Sequence, residues 1–371
     1  MIAALAPEGP AGSVRPAGGV PEGVILRLQS LRFVAAALVL VGHTLMEMVQ
    51  HNLDEGALAA AQGVPWGIGV DIFFVISGFI ITTASIQRPS TPGAVGDFLL
   101  HRIVRVWPTY AFFTALMVAA TLAVPSFLKH ARLDPQHIVA SLTFVPWPRP
   151  DDGRYYPLLG QGWTLNYEMF FYVSFAVVLF LPARFRVLAL WVGGMALIAA
   201  GQLFALPQPL AFYAHPVIAE FLFGVALSVG YRRLPGSPML GLGLITAAIV
   251  FLSLVPVDTE VPSRALFAGI PAAAIVAGVL LLGQRGERVL GGRLPVLLGN
   301  ASYALYLSHT FVVNAVLWVM MRIFHPVPPM LFLAVAFVGA SVVSIVAYRL
   351  VEQPALRLLK PRVRALRWRT D

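Results

Sequence analysis

The chain has 371 residues, 58% of them hydrophobic and 12% charged, with a net charge of +9 and a mean hydropathy of +0.80. A soluble domain carries about 25% charged residues, so half that share on so long a chain cannot cover a water-exposed surface, and the composition is that of an integral membrane protein. The absence of cysteine excludes disulfides, thiolate metal sites, iron–sulfur clusters and a cysteine nucleophile, while the basic surplus belongs to cytoplasmic loops rather than to nucleic acid.

The first 24 residues hold four Pro and five Gly and no long apolar run. They read as a disordered cytoplasmic tail, not a signal peptide. From Ile25 onward, apolar stretches of spanning length alternate with short polar connections. The expected spans are roughly 28–50, 67–86, 106–124, 163–181, 187–205, 212–230, 238–255, 265–283, 297–321 and 330–352. The expected fold is all-α: a polytopic domain over 25–352 with about ten membrane helices, followed by a basic tail over 353–371. With even-numbered connections inside, 20 of the 26 Lys and Arg residues fall on the cytoplasmic side. The other side keeps Lys129, Arg132, Arg149, Arg154, Arg264 and Arg322. That bias puts both termini in the cytoplasm. One outer connection, residues 125–162, is long and carries six prolines with Trp147, Tyr155, Tyr156, Asp134, Asp151 and Asp152. A loop of that length is either functional or a solvated cap on the bundle.

Ionisable residues inside spans are costly and mark candidate sites. They are Arg32, His43, Glu47, Asp71, Glu168, Glu220 and His309. Arg32 and His43 are eleven residues apart, which on a helix means about 16 Å of rise and about 20° of rotation. They share a face, with Arg32 at the cytoplasmic boundary and His43 near half depth. That suits an anionic cytosolic ligand reaching a buried base; a snorkelling Arg and an interhelical His would look the same. Glu47 lies one turn beyond His43, near enough to orient it, and also near the wet outer interface.

The second span opens Gly69-Val70-Asp71-Ile72-Phe73-Phe74-Val75-Ile76-Ser77-Gly78-Phe79, a pattern for close helix packing around one buried polar group. Arg102 and Arg105, expected just before the third span, face one way on a helix. They could fork onto phosphate or serve as charge anchors. Trp163 opens the fourth span, with Glu168 about a turn inside. Glu220 sits mid-span, and both acids should face the interior. Ser302, Tyr306 and His309 fall at i, i+4 and i+7 of the ninth span, one face that interhelical hydrogen bonding alone would explain.

Taken together, these segments resemble the acyltransferase-3 family of bacterial integral-membrane O-acyltransferases. The resemblance rests on Arg32 and His43 in register, the Gly69–Phe79 segment and the Arg102/Arg105 pair. Trp163-Thr-Leu-x-x-Glu168 and Ser302-Tyr-Ala-Leu-Tyr-Leu-x-His309 complete it, so that roughly residues 26–352 are covered. Thr164-Leu165-Asn166 stands where Ser-Leu-Ser is more typical, and Ser308 where an aromatic residue often precedes the histidine. These departures bear on the acceptor more than on the reaction. Because the chain ends about twenty residues after the tenth expected span, an appended esterase-like domain for peptidoglycan work is not expected.

The resemblance implies a multi-pass protein of the bacterial cytoplasmic membrane. It would move an acyl group, usually acetyl from acetyl-coenzyme A, to a hydroxyl of a carbohydrate or lipid-linked glycan. It assigns His43 as the essential histidine with Arg32 as its partner, and Arg102 and Arg105 to the coenzyme's phosphates. Asp71, Ser77, Glu168 and His309 take further characteristic polar positions, with Trp163, Ser302, Tyr306 and Glu220 in support. His43 would act as general base, oriented by Asp71, Glu47 or Glu168, with no metal and no nucleic-acid partner. The alternative is a proton-coupled transporter or polysaccharide flippase running through His43, Asp71, Glu168 and Glu220, although no internal repeat is visible.

Overall fold

A computed structural model describes residues 22–53, 56, 64–123, 133–231, 233, 236–255, 263–283, 286 and 290–359. The tail expected over 1–24 lies outside them up to residue 21, as do residues 360–371 of the basic tail. Among the described residues all regular structure is helical. Lipid offers backbone groups no partners, so each segment satisfies its own hydrogen bonds.

The helices are α1 (Glu22–Gln50), α2 (Ile68–Ser85), α3 (Pro92–Ala123), α4 (Pro135–Leu142), α5 (Trp163–Leu179), α6 (Ala183–Leu203) and α7 (Ala219–Tyr231). They continue with α8 (Pro238–Leu254), α9 (Ile270–Leu281), α10 (Arg293–Asn300), α11 (Ser302–Ile323) and α12 (Pro329–Ala347). Proline opens α3, α4, α8 and α12, where its missing N–H costs nothing. Asp134 caps α4 by accepting from the backbone N–H of Gln136 and His137, and Ser237 caps α8 through Leu240. Two wider π-turns stand out, Ala265–Gly269 leading into α9 and Tyr348–Glu352 extending α12.

Among the described residues six helices are long and apolar enough to cross a membrane: α1, α2, α3, α6, α11 and α12 with its extension. Three shorter apolar helices are Pro216–Tyr231, Pro238–Leu254 and Ala265–Leu281. Two expected boundaries are corrected. The third span, expected from residue 106, belongs to a helix that starts at Pro92 and runs through Pro108, so Arg102 and Arg105 lie well inside it. The ninth, expected as one run from 297, is broken at Ala301 into α10 and α11.

The bundle is organised around α2, which packs most extensively on α7 and also meets α1 and α9. A Cβ on Gly78 would lie 2.1 Å from the Phe221 carbonyl oxygen, and one on Gly224 2.1 Å from that of Val75. Glycine on both sides is what lets these backbones touch, as the Ser77-Gly78 pair foretold. Thr83 donates to Ser228 across the same seam at 3.0 Å. Arg186, assigned from sequence to a cytoplasmic connection, is instead buried. It donates to the carbonyls of Ile86, Arg88, Leu179 and Leu181 and to the Ser90 hydroxyl, tying together the ends of α2, α5 and α6.

The part of the long outer connection that is described, from Leu133, is packed rather than loose. The His137 ring bonds to the Tyr156 carbonyl at 2.8 Å, Phe144 stacks on Tyr110, and Trp107 donates to Leu142 at 3.0 Å. Asp151 and Asp152 pair with Arg149, whose hydrogen bond holds the Asp152 carboxyl below the usual carboxylate range.

The α2–α7 seam gives a direct test. Gly78→Ala should lower the unfolding temperature of the detergent-solubilised protein, since overpacking costs about 1–3 kcal/mol. Gly243→Ala, where the added Cβ meets open space, should not. Equal unfolding temperatures for the two variants would show that this seam does not limit stability.

Candidate active site

Arg32 from α1, Ser77 from α2, Arg102 and Arg105 from α3, Glu168 and Tyr172 from α5, and Tyr303 and Tyr306 from α11 line one cavity of about 110 Å³. That is room for several waters or a slender ligand segment. Arg32 donates to Ser302 at 3.3 Å and lies over the Phe73 ring. Arg102 lies between the Phe98 and Tyr172 rings, 5.5 and 5.9 Å from their centroids. Arg105 pairs with Glu352, which sits on the π-turn ending α12. Glu168 accepts from Ser77 at 3.0 Å and from the Tyr172 hydroxyl. Three arginines thus face two carboxylates, a cationic surplus inside an aromatic-walled space, which favours anions.

Phe73 and Tyr306 also line the cavity, and their rings meet edge to face at 6.1 Å. The Tyr306 hydroxyl bonds to Thr164 and to the Gln161 carbonyl, both at 3.0 Å. Beyond Tyr306 comes His309, centroids 6.1 Å apart, and then His43, 5.0 Å from His309. Neither histidine lines the cavity. The expected face of Ser302, Tyr306 and His309 exists, and each of the three turns to a different neighbour.

Four expectations are corrected. His43 is not buried but exposed: this part of α1 buries Leu40, Thr44, Leu45 and Met48, leaving His43, Met46 and Gln50 along one open stripe. Glu47 faces His51, at 3.5 Å, instead of orienting His43. Asp71 also lies elsewhere, held by a two-pronged pair with Arg264 at 3.0 and 3.1 Å, both buried. Trp163 covers the Arg264 guanidinium rather than lining the cavity. Glu220 is fully buried beside this pair, against Gly269, with the Asp71 carboxylate as its polar neighbour.

Sequence reasoning missed Arg264 and Glu352, the two counter-charges, and also Tyr172. Tyr172 could have been found at i+4 from Glu168, and Glu352 as an acid at the end of an apolar span. Arg264 was counted as a loop charge. Among the described residues no group of three or more His, Asp or Glu could hold a metal ion.

The structure is thus a multi-helix bundle with a cationic, aromatic-walled interior cavity near a histidine pair. The profile of the acyltransferase-3 family, described as an acyltransferase domain, matches residues 25–349, and the chain belongs to that family. It is similar to the exopolysaccharide production protein ExoZ of Rhizobium meliloti (strain 1021), 37% identical over 78% of this chain and 89% of the relative. It is also similar to the acyltransferase MdmB of Streptomyces mycarofaciens, 24% identical over 77% of this chain and 78% of the relative. A Staphylococcus aureus (strain MRSA252) protein with a provisional O-acetyltransferase designation matches at 24% over 82% of this chain and 54% of its own length. No solved structure matches. The protein is an O-acyltransferase, which sets the transporter alternative aside.

The Asp71–Arg264 pair makes a prediction that separates packing from catalysis. Removing one partner of a buried ion pair costs about 3–5 kcal/mol, so Asp71→Ala should yield little monodisperse protein on size exclusion in detergent. A well-folded variant with full thermal stability would show that the pair is not a structural clamp.

Proposed function

We propose that the protein transfers an acyl group, acetyl by preference, from acyl-coenzyme A to a hydroxyl of a glycan, lipo-oligosaccharide or other glycoside, in the cytoplasmic membrane of a bacterium. The observation that carries this reading is the convergence of Arg32, Arg102 and Arg105 in one cavity whose lining residue Tyr306 neighbours His309 and, beyond it, His43. Forked guanidinium groups suit phosphates. Glu352 holds Arg105 until a donor phosphate shares it. The thioester then reaches His43 past Phe73 and Tyr306, while the exposed side of His43 leaves room for a bulky acceptor. The acceptor oxygen attacks the thioester carbonyl as His43 takes its proton. The C–O bond forms, the C–S bond breaks, and the proton passes to the departing thiolate. An exopolysaccharide-type acceptor accords with the name of the Rhizobium relative.

We further propose ten spans, with both termini cytoplasmic, so that the arginine cavity opens toward cytosolic donor. Six helices of spanning length, the shorter apolar helices beside them and the basic-residue bias support it. Reporter fusions after residues 140 and 260 should read as non-cytoplasmic and those after 95 and 235 as cytoplasmic. A cytosolic signal at 140 would reverse the orientation.

Donor binding is the discriminating experiment. Losing one charge-assisted bond costs about 1.5–3 kcal/mol, so Arg102→Ala or Arg105→Ala should weaken acetyl-coenzyme A binding by about 10- to 150-fold in calorimetry. The lysine variants should recover only part of it. In the same preparations His43→Ala should bind donor normally and lose on the order of 10²–10⁴-fold in turnover. Unchanged donor affinity in the double arginine variant would remove the coenzyme from this cavity.

A further inference from the structure

Among the described residues no carboxylate is placed to orient the His43 imidazole. Glu47 faces His51, Asp71 is held by Arg264, and Glu168 accepts from Ser77 and Tyr172. What meets the His43 ring is another histidine, His309, edge-on at 69° with centroids 5.0 Å apart.

The state of His309 follows from its surroundings. The side chain is 1% exposed, and Nδ1 lies 3.2 Å from the carbonyl oxygen of Leu305, one turn earlier on α11. A carbonyl only accepts, so Nδ1 carries the proton and, in the neutral ring, the lone pair is on Nε2. Nε2 is buried with no hydrogen-bond partner among the described residues. A buried acceptor left unpaired is costly, and a donor-bearing ring lies beside it.

We propose that His309 is a positioning residue for the transfer reaction: a turn of the exposed His43 ring brings its N–H onto the unpaired lone pair of His309 Nε2. That bond fixes the His43 tautomer, so that its other nitrogen carries the lone pair and faces the open side of α1, where an acceptor hydroxyl can approach. When His43 takes the hydroxyl proton, the N–H toward His309 stays bonded and the new N–H is the one delivered to the thiolate of the departing coenzyme. The proton on His309 Nδ1 remains with Leu305 throughout. A neutral imidazole orients the base without placing a second charge in the apolar bundle, which a carboxylate would do at a large desolvation cost. The inference rests on the proposed role of His43, and the test tells the two failures apart.

The test uses the full chain in nanodiscs, with acetyl-coenzyme A and an alkyl glycoside as substrates. His309→Phe fills the site without an acceptor; His309→Gln carries an amide oxygen to similar depth. His309→Phe should lose on the order of 10²-fold in kcat with the KM for acetyl-coenzyme A unchanged, and His309→Gln should recover most of that loss. Nitrogen NMR of histidine-labelled protein, with His43→Ala to assign the signals, should find one His43 tautomer in the unmodified protein and in His309→Gln, and a mixture in His309→Phe. Full activity in His309→Phe beside an inactive His43→Ala would overturn the proposal and leave His43 as base. An active His43→Ala would instead overturn the reading of His43 itself. Should His309→Phe fail to fold, two equally populated His43 tautomers in the unmodified protein would equally overturn the role of His309.

Discussion

A charge moved from water into an apolar helix bundle must meet an opposite charge or an array of dipoles, and most of this structure can be read from that constraint. Asp71 meets Arg264, Arg105 meets Glu352, and Arg186 is surrounded by carbonyl oxygens from the ends of α2 and α5. Each solution joins elements far apart in sequence. The pairs hold α2 to the segment leading into α9 and α3 to the end of α12. The cavity itself departs from neutrality, since its arginines outnumber the carboxylates beside them. An excess of one sign in an apolar interior is what a binding site for the other sign requires.

The site is divided rather than continuous. The arginines line the cavity with Phe73 and Tyr306, whereas the histidine pair lies next to Tyr306 outside the lining. In the proposed reading the two rings would stand between the phosphate-binding arginines and the base. Tyr306 is held there by Thr164 and the Gln161 carbonyl, so the partition is built from α5, α11 and the short turn before α5. The exposure of His43 fits the proposed reading, in which the base serves a large hydroxyl-bearing molecule.

Much of this was legible in the amino acids alone. Low charge and long apolar runs determine a helical membrane protein, because lipid admits no other open-chain structure with satisfied backbone. The spacing of Arg32 and His43, of Arg102 and Arg105, and of Ser302, Tyr306 and His309 determines which side chains share a helix face, since 3.6 residues per turn is a local property. Motif order was enough to identify the family. Gly78 announced a close helix contact, although not that Gly224 would be its counterpart.

Tertiary structure decided the partners. Nothing in the sequence says that Asp71 belongs to Arg264 and not to His43, because a local rule cannot tell which distant helix will lie opposite. Arg264 and Glu352 were further hidden because each adjoins a π-turn, where the wider winding rotates side chains off the face that a 3.6-residue wheel assigns. The burial of Arg186 and the exposure of His43 were likewise settled by packing, which chooses the sides of α1 and α6 that other helices cover. Residue chemistry and helical period are carried by neighbours in sequence. Charge pairing and exposure belong to neighbours in space, and only the assembled bundle determines those.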